Sequence, residues 1–199
     1  MAVETTGDDG DLWVFGYGSL MWRPGFPFRE RRLARIAGYH RSLCVYSHVH
    51  RGTPERPGLV LGLDRGGSCR GVAFRVAQDD AEETIRYLRA REQVTAVYLE
   101  RRVDARLADG RAVRALTYVV DRAHRQYAGR LDDAETLRIV LQGVGQSGRN
   151  PDYVVSTYAH LVEIGVSDPH LARLAAALAR GDAERGDAEP GDDASRLSA

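Results

Sequence analysis

The chain has 199 residues, 43% hydrophobic and 28% charged, enough for one substantial core and short for two. Its formal net charge is zero, so the basic footprint of a nucleic-acid binder or of a protein held on an anionic membrane is missing. All 28 basic residues are arginine; without lysine, a phosphate loop ending in Gly-Lys, a lysine Schiff base and a pyridoxal site are excluded.

In chain order, residues 1–10 are acidic and polar and read as a solvated tail rather than a targeting signal. No apolar run reaches the roughly 18–20 residues of a membrane-spanning helix, and a cytoplasmic location is expected. Trp13-Val14-Phe15-Gly16-Tyr17-Gly18-Ser19-Leu20-Met21-Trp22 reads as a strand over 12–16 running into a glycine-flanked turn. Such a turn permits unusual backbone angles and leaves amides uncovered for a small anion, or it simply ends the strand. Strand-like segments follow at 33–46, 58–63 and 69–77. Cys44 and Cys69 fall on them without metal-like spacing and are read as reduced core thiols.

Asp79 with Glu82 resembles a capping box for a helix over 80–92, whose apolar stripe is Ile85, Tyr87 and Leu88. Strands at 97–106 and 111–120 flank Asp109-Gly110, a strong hairpin signal. A helix beginning at Asp132 or Asp133 carries Leu137, Val140 and Leu141 on one face. Pro151 opens another, with Val154, Tyr158, Leu161 and Val162 at helical spacing, and 169–180 is Ala/Leu-rich. Residues 181–199 read as a second solvated tail. Strands first and helices last favour an α+β fold: a curled mixed or antiparallel sheet, or small barrel, packed by helices in a single domain over 11–180.

Several familiar sites fail on inspection. His48-x-His50 has no further ligand at metal spacing, so no metal is expected. Ser19 lacks the Gly-x-Ser-x-Gly pattern of a nucleophile elbow, and Gly16-x-Gly18 lacks the third glycine of a dinucleotide fingerprint. Three features survive: the Tyr17 turn, the Arg91-Glu92 pair and the loop Gly143–Tyr153. Glu92 stands where a helix hands over to a strand; it is either a surface charge or a carboxylate made more basic by desolvation. The Gly/Ser-rich loop opens a helix whose N-terminus favours an anion, and Asn150 is suited to cap it.

Taken together these residues resemble the ChaC-like γ-glutamylcyclotransferases over about residues 12–178. The resemblance is carried by Val14–Trp22, by Ser47-x-x-His50-Arg51-Gly52 with Pro57-Gly58, and by Gly71-x-Ala73-Phe74. Arg91-Glu92 with Tyr98, and Gly145-x-Ser147-Gly148-x-Asn150-x-x-Tyr153 with Leu161 and Gly165, complete it. It implies a γ-glutamylcyclotransferase-like fold and cofactor-free release of 5-oxoproline from glutathione. It also implies a γ-glutamyl-binding loop of Val14, Phe15, Gly16, Tyr17, Gly18, Ser19 and Leu20, with Glu92 as proton acceptor. Tyr98 and Tyr153 match tyrosines near the family's site, and Arg51 an arginine that helps hold substrate. The partner is a small γ-glutamyl molecule, with no nucleic acid or membrane. The chain departs from the family pattern where Gln93–Val97 lacks a glycine ahead of the tyrosine and where Arg149 replaces a smaller residue. Two other readings are a cyclotransferase for other γ-glutamyl peptides or amines, and a non-catalytic regulatory module linked to cation transport.

Overall fold

The computed structural model describes residues 10–92 and 96–186, with 181–186 by backbone alone. Five strands form a closed barrel in the order β1-β3-β2-β4-β5. They are β1 (Leu12–Gly16), β2 (Glu30–Ser47), β3 (Gly58–Val76), β4 (Tyr98–Leu107) and β5 (Ala112–Val120). All neighbours are antiparallel except β1 and β5, whose parallel pairing of Trp13 with Ala115 and Val14 with Leu116 closes the ring. β1 is buried on both faces at Val14 and Phe15, which is why its sequence is continuously apolar instead of alternating. The expected α+β class, in its small-barrel form, is what the chain adopts.

Four helices pack around the barrel: α1 (Gln78–Glu92), α2 (Asp133–Gln142), α3 (Asn150–Glu163) and α4 (Pro169–Gly186). One apolar core runs from Val14, Phe74 and Leu116 in the barrel to Val140, Leu161 and Leu171 on the helices. Cys44 and Cys69 are buried and free. Among the described residues no helix is long and apolar enough to cross a membrane.

Some elements differ from the sequence reading for identifiable reasons. The segments 58–63 and 69–77 are one strand, β3, because Gly66 and Gly67 take positive φ beside the register shift at Ala37/Tyr39. They kink a long hairpin rather than end it. The capping box is not formed: α1 starts at Gln78, and Asp11 from ahead of β1 accepts the Gln78 N–H at 3.0 Å. α2 does start as expected, with the Asp132 side chain accepting from Glu135 N–H at 2.8 Å. α4 continues past 180 to Gly186; the rest of the expected tails, residues 1–9 and 187–199, lie outside the described residues.

Candidate active site

A cavity of about 110 Å³ collects residues from widely separated elements. β1 and the turn after it supply Phe15, Tyr17, Gly18, Ser19 and Leu20, and Glu92 comes from the last turn of α1. Tyr98 stands at the start of β4 and Tyr153 in the first turn of α3. Val60, Leu61 and Tyr118 complete the wall, and sequence reasoning missed all three. Apolar strand residues that line a cavity carry the same signature as those that fill a core.

Val14, Gly16 and Arg51 do not line the cavity, although the sequence grouped them with it. Val14 is fully buried in the core, and Gly16 is closely packed, since a Cβ there would sit 3.0 Å from Leu20 Cβ. Neither Gly16 nor Gly18 has a positive φ, but Gly18, at φ −130° and ψ −135°, takes a backbone conformation outside the regions open to most residues. Ser19–Met21 instead form one 3₁₀ turn, closed by Met21 N–H to Gly18 C=O at 2.9 Å. The first amides of such a turn, at Ser19 and Leu20, have no partner within it.

The turn is held from below by Arg41, an arginine the sequence did not single out. Its side chain is 4% exposed, donates from Nε to the Tyr17 carbonyl at 2.6 Å and pairs with Asp168 at 3.0 Å. Asp168 also caps α4 by accepting the Leu171 N–H at 3.1 Å, so the guanidinium ties helix to turn.

Glu92 is 19% exposed, and its only cationic neighbour among the described cavity residues and their partners is Arg91, Nε to Oε1 3.2 Å. Burial raises its carboxyl pKa above the ordinary glutamate value, with the Arg91 charge opposing. Burial likewise raises Tyr17, Tyr98 and Tyr153, so the hydroxyls around Glu92 stay protonated. The backbone of Leu61 orients two of them. Its carbonyl accepts from Tyr98 at 2.7 Å, while its N–H donates to the Tyr153 hydroxyl at 3.2 Å. Tyr98 has thus spent its proton and offers lone pairs to a ligand. Ahead of Tyr98, Ala96 takes φ +56°, a left-handed conformation that costs a non-glycine residue about 1 kcal/mol. That is where the sequence lacks the glycine of the family pattern.

The loop Gly143–Tyr153 spends the Gln146, Ser147 and Asn150 amides on the protein's own carbonyls. β6 (Val144–Gly145) and β7 (Gly148–Arg149) make a small hairpin laid flat on residues 49–51. Gln146 and Ser147 N–H donate to Val49 and His50 carbonyls at 2.8 and 3.0 Å, and Asn150 N–H to Gly143 at 2.8 Å. The glycines permit this contact, since a Cβ on Gly145 would lie 2.4 Å from the Val49 carbonyl oxygen. Asn150 does not cap α3. It is fully buried and clasps Leu59, accepting its N–H at 2.7 Å and donating to its carbonyl at 2.8 Å. Arg51 acts behind the cavity wall: it donates to the Ser147 carbonyl at 2.6 Å and lies 5.2 Å from the Tyr153 ring centroid. His50 bonds to Ser147 Oγ at 3.0 Å, and His48 stacks on Tyr46.

A small cavity with one basic carboxylate, tyrosine hydroxyls and a turn whose first amides have no partner within it suits proton transfer on a small polar molecule. Residues 12–180 match the profile of the ChaC-like proteins, and the chain belongs to that family. It is 34% identical over 164 residues to the glutathione-specific γ-glutamylcyclotransferase of Escherichia coli K12, covering 82% of this chain and 71% of that one. Against the glutathione-specific γ-glutamylcyclotransferase 1 of Danio rerio, identity is 36% over 174 residues, covering 84% and 88%. The fold matches the crystal structure of the yeast γ-glutamyl cyclotransferase specific to glutathione, with TM-score 0.77 at 22% identity, over 86% of this chain and 97% of that one.

Proposed function

We propose that this chain is a γ-glutamylcyclotransferase that cleaves glutathione to 5-oxoproline and cysteinylglycine. The observation that carries this reading is Glu92: a carboxylate made basic by burial, in the wall of a cavity shared with the Tyr17–Leu20 turn. The names of the relatives supply the substrate class. In a single domain over 11–180, Glu92 takes a proton from the substrate's α-ammonium group, and the freed amine attacks the γ-carbonyl carbon. The tetrahedral adduct collapses as the bond to the cysteine nitrogen breaks; the attacking nitrogen gives up its second proton, both protons pass by way of Glu92 to the departing nitrogen, which leaves as an ammonium, and Glu92 ends as the carboxylate it began. No water is consumed, and because the substrate carries its own nucleophile, no serine, cysteine, metal or cofactor is required.

The remaining roles follow from hydrogen-bonding capacity. Tyr98 offers lone pairs to the α-amino group, and the Ser19 and Leu20 amides offer donors to a carboxylate or to the developing oxyanion. A volume of about 110 Å³ is well below the roughly 300–1,000 Å³ that encloses a drug-sized ligand. It receives the γ-glutamyl end, and the peptide beyond the bond lies at the rim. Two buried free thiols fit a reducing compartment, the cytoplasm.

The test is a coupled assay for 5-oxoproline and cysteinylglycine from glutathione, run beside γ-glutamyl amino acids. Equimolar release of both products from glutathione is expected. Binding of glutathione without 5-oxoproline would overturn the catalytic reading, and faster turnover of γ-glutamyl amino acids would overturn the substrate.

A further inference from the structure

Arg91 is the residue before the proposed base, and its guanidinium gathers more partners than its position on a helix requires. Its side chain is 24% exposed, whereas that of Arg89, two residues earlier, is 55% exposed and pairs with Glu100. Arg91 Nη1 donates to the Arg23 carbonyl at 2.7 Å and to the Tyr87 hydroxyl at 2.8 Å. Nη2 donates to Ser19 Oγ at 2.8 Å, across 72 residues of sequence. Nε faces Glu92 Oε1 at 3.2 Å. One planar group therefore touches the substrate turn and the proposed base at once, braced by the segment after that turn. The geometry suits a guanidinium, whose donors diverge in a fixed fork, and not an ammonium.

The contact with Ser19 has a chemical consequence. Arg91 can only donate, so Ser19 Oγ accepts from it and its own proton remains available to a ligand in the cavity. We infer that Arg91 is a positioning residue: it sets the Ser19 hydroxyl as a donor toward the substrate carboxylate and holds the Glu92 carboxylate at a fixed place and basicity beside it. The inference rests on the reading of Glu92 as the base. The other titratable groups lining the cavity are Tyr17 after β1, Tyr98 on β4, Tyr118 on β5 and Tyr153 on α3, all neutral through the acid range. Behind them the Cys44 thiol is pushed up to about 12. Arg91 is thus the one cation set directly against Glu92 among the described residues, and its removal lets burial act unopposed.

The experiment compares wild type, Arg91→Gln and Arg91→Lys in two measurements: the pH dependence of kcat/KM for glutathione, and the titration of the Glu92 carboxyl by 13C NMR, assigned with Glu92→Gln. In Arg91→Gln the Glu92 titration and the acid limb should both move up by about 1 pH unit, and KM should rise roughly fivefold. Arg91→Lys should keep the limb near the wild-type position while KM still rises, because an ammonium cannot span both partners. A purely structural anchor would lower Tm and leave the limb and the carboxyl titration in place, and that result in Arg91→Gln overturns the proposal. Should Arg91→Gln not fold, an unchanged KM in Arg91→Lys overturns it instead. A wild type inert toward glutathione would remove the functional reading, with Arg91 then judged on the carboxyl titration alone.

Discussion

Two groups of arginines in this barrel behave as if they were different residues. Around the cavity, Arg41, Arg51 and Arg91 are spent on backbone carbonyls, carboxylates and tyrosines. On the outside, Arg70, Arg35 and Arg106 stand directly opposite one another across β3, β2 and β4, lining an open cleft. Among the described residues none of these three has a carboxylate partner. Arg35 reaches Ser68 Oγ at 2.9 Å and Arg106 the Gly110 carbonyl at 3.3 Å. A chain whose cations are all arginine places them everywhere, and composition cannot say which matter. What separates the groups is whether several fixed acceptors converge on one guanidinium.

The strongest way to break the distinction is to remove the charge the inner network surrounds. Glu92→Gln should lower kcat for glutathione by about 10³-fold, in the range of a lost general base, with KM within a few fold. Stability should move the other way. Folding raises the Glu92 pKa, so between the unfolded and folded values the native state holds more protons, and stability falls as pH rises through that window. Once ionised, the carboxylate is a cost of folding. Glu92→Gln should therefore melt at or above the wild-type temperature at neutral pH, the difference vanishing as pH falls below the unfolded glutamate value. A variant that keeps most of its turnover, or that melts lower at neutral pH, would contradict this account.

The second test removes a buried cation. Arg41→Met strands Asp168, whose side chain is 13% exposed, and leaves the Tyr17 carbonyl without its donor. Breaking such a pair costs about 3–5 kcal/mol. Urea unfolding should show that loss, and any folded fraction should bind glutathione more weakly because the turn is no longer anchored. Asp168→Asn keeps one acceptor oxygen, enough for either Arg41 or the Leu171 amide but not for both, and removes the stranded charge, so it should lose less.

These partners explain why some features were readable in the sequence and others were not. β1, its turn, the Asp109–Gly110 hairpin, the Asp132 cap and the junction at Glu92 are written in contiguous residues, and their chemistry is local. The anchors are not: Arg41 meets Asp168 across 127 residues, Asn150 meets Leu59 across 91, and Asp11 caps α1 across 67. Gly66-Gly67 and Gly143–Gly148 misled for a related reason. A glycine that bends a strand, or lets two backbones touch, has the same local sequence as one that ends a strand or frees an amide.

The smallest expected effect lies on the outer row, where its sign is informative. Arg35 sits between Arg70 and Arg106 in register, and like charges directly opposite one another destabilise a sheet. Arg35→Glu replaces two repulsions with two attractions on an exposed face. It should raise stability by about 0.2–1 kcal/mol at low ionic strength, and the gain should shrink as salt is added, since exposed charges are screened. Turnover should not change, because none of the three residues lines the cavity that holds Glu92. Urea unfolding at two salt concentrations reads the first effect and the 5-oxoproline assay the second. A loss of stability would mean that the row meets acceptors as fixed as those of Arg41 and Arg91, and the two groups of arginines would collapse into one.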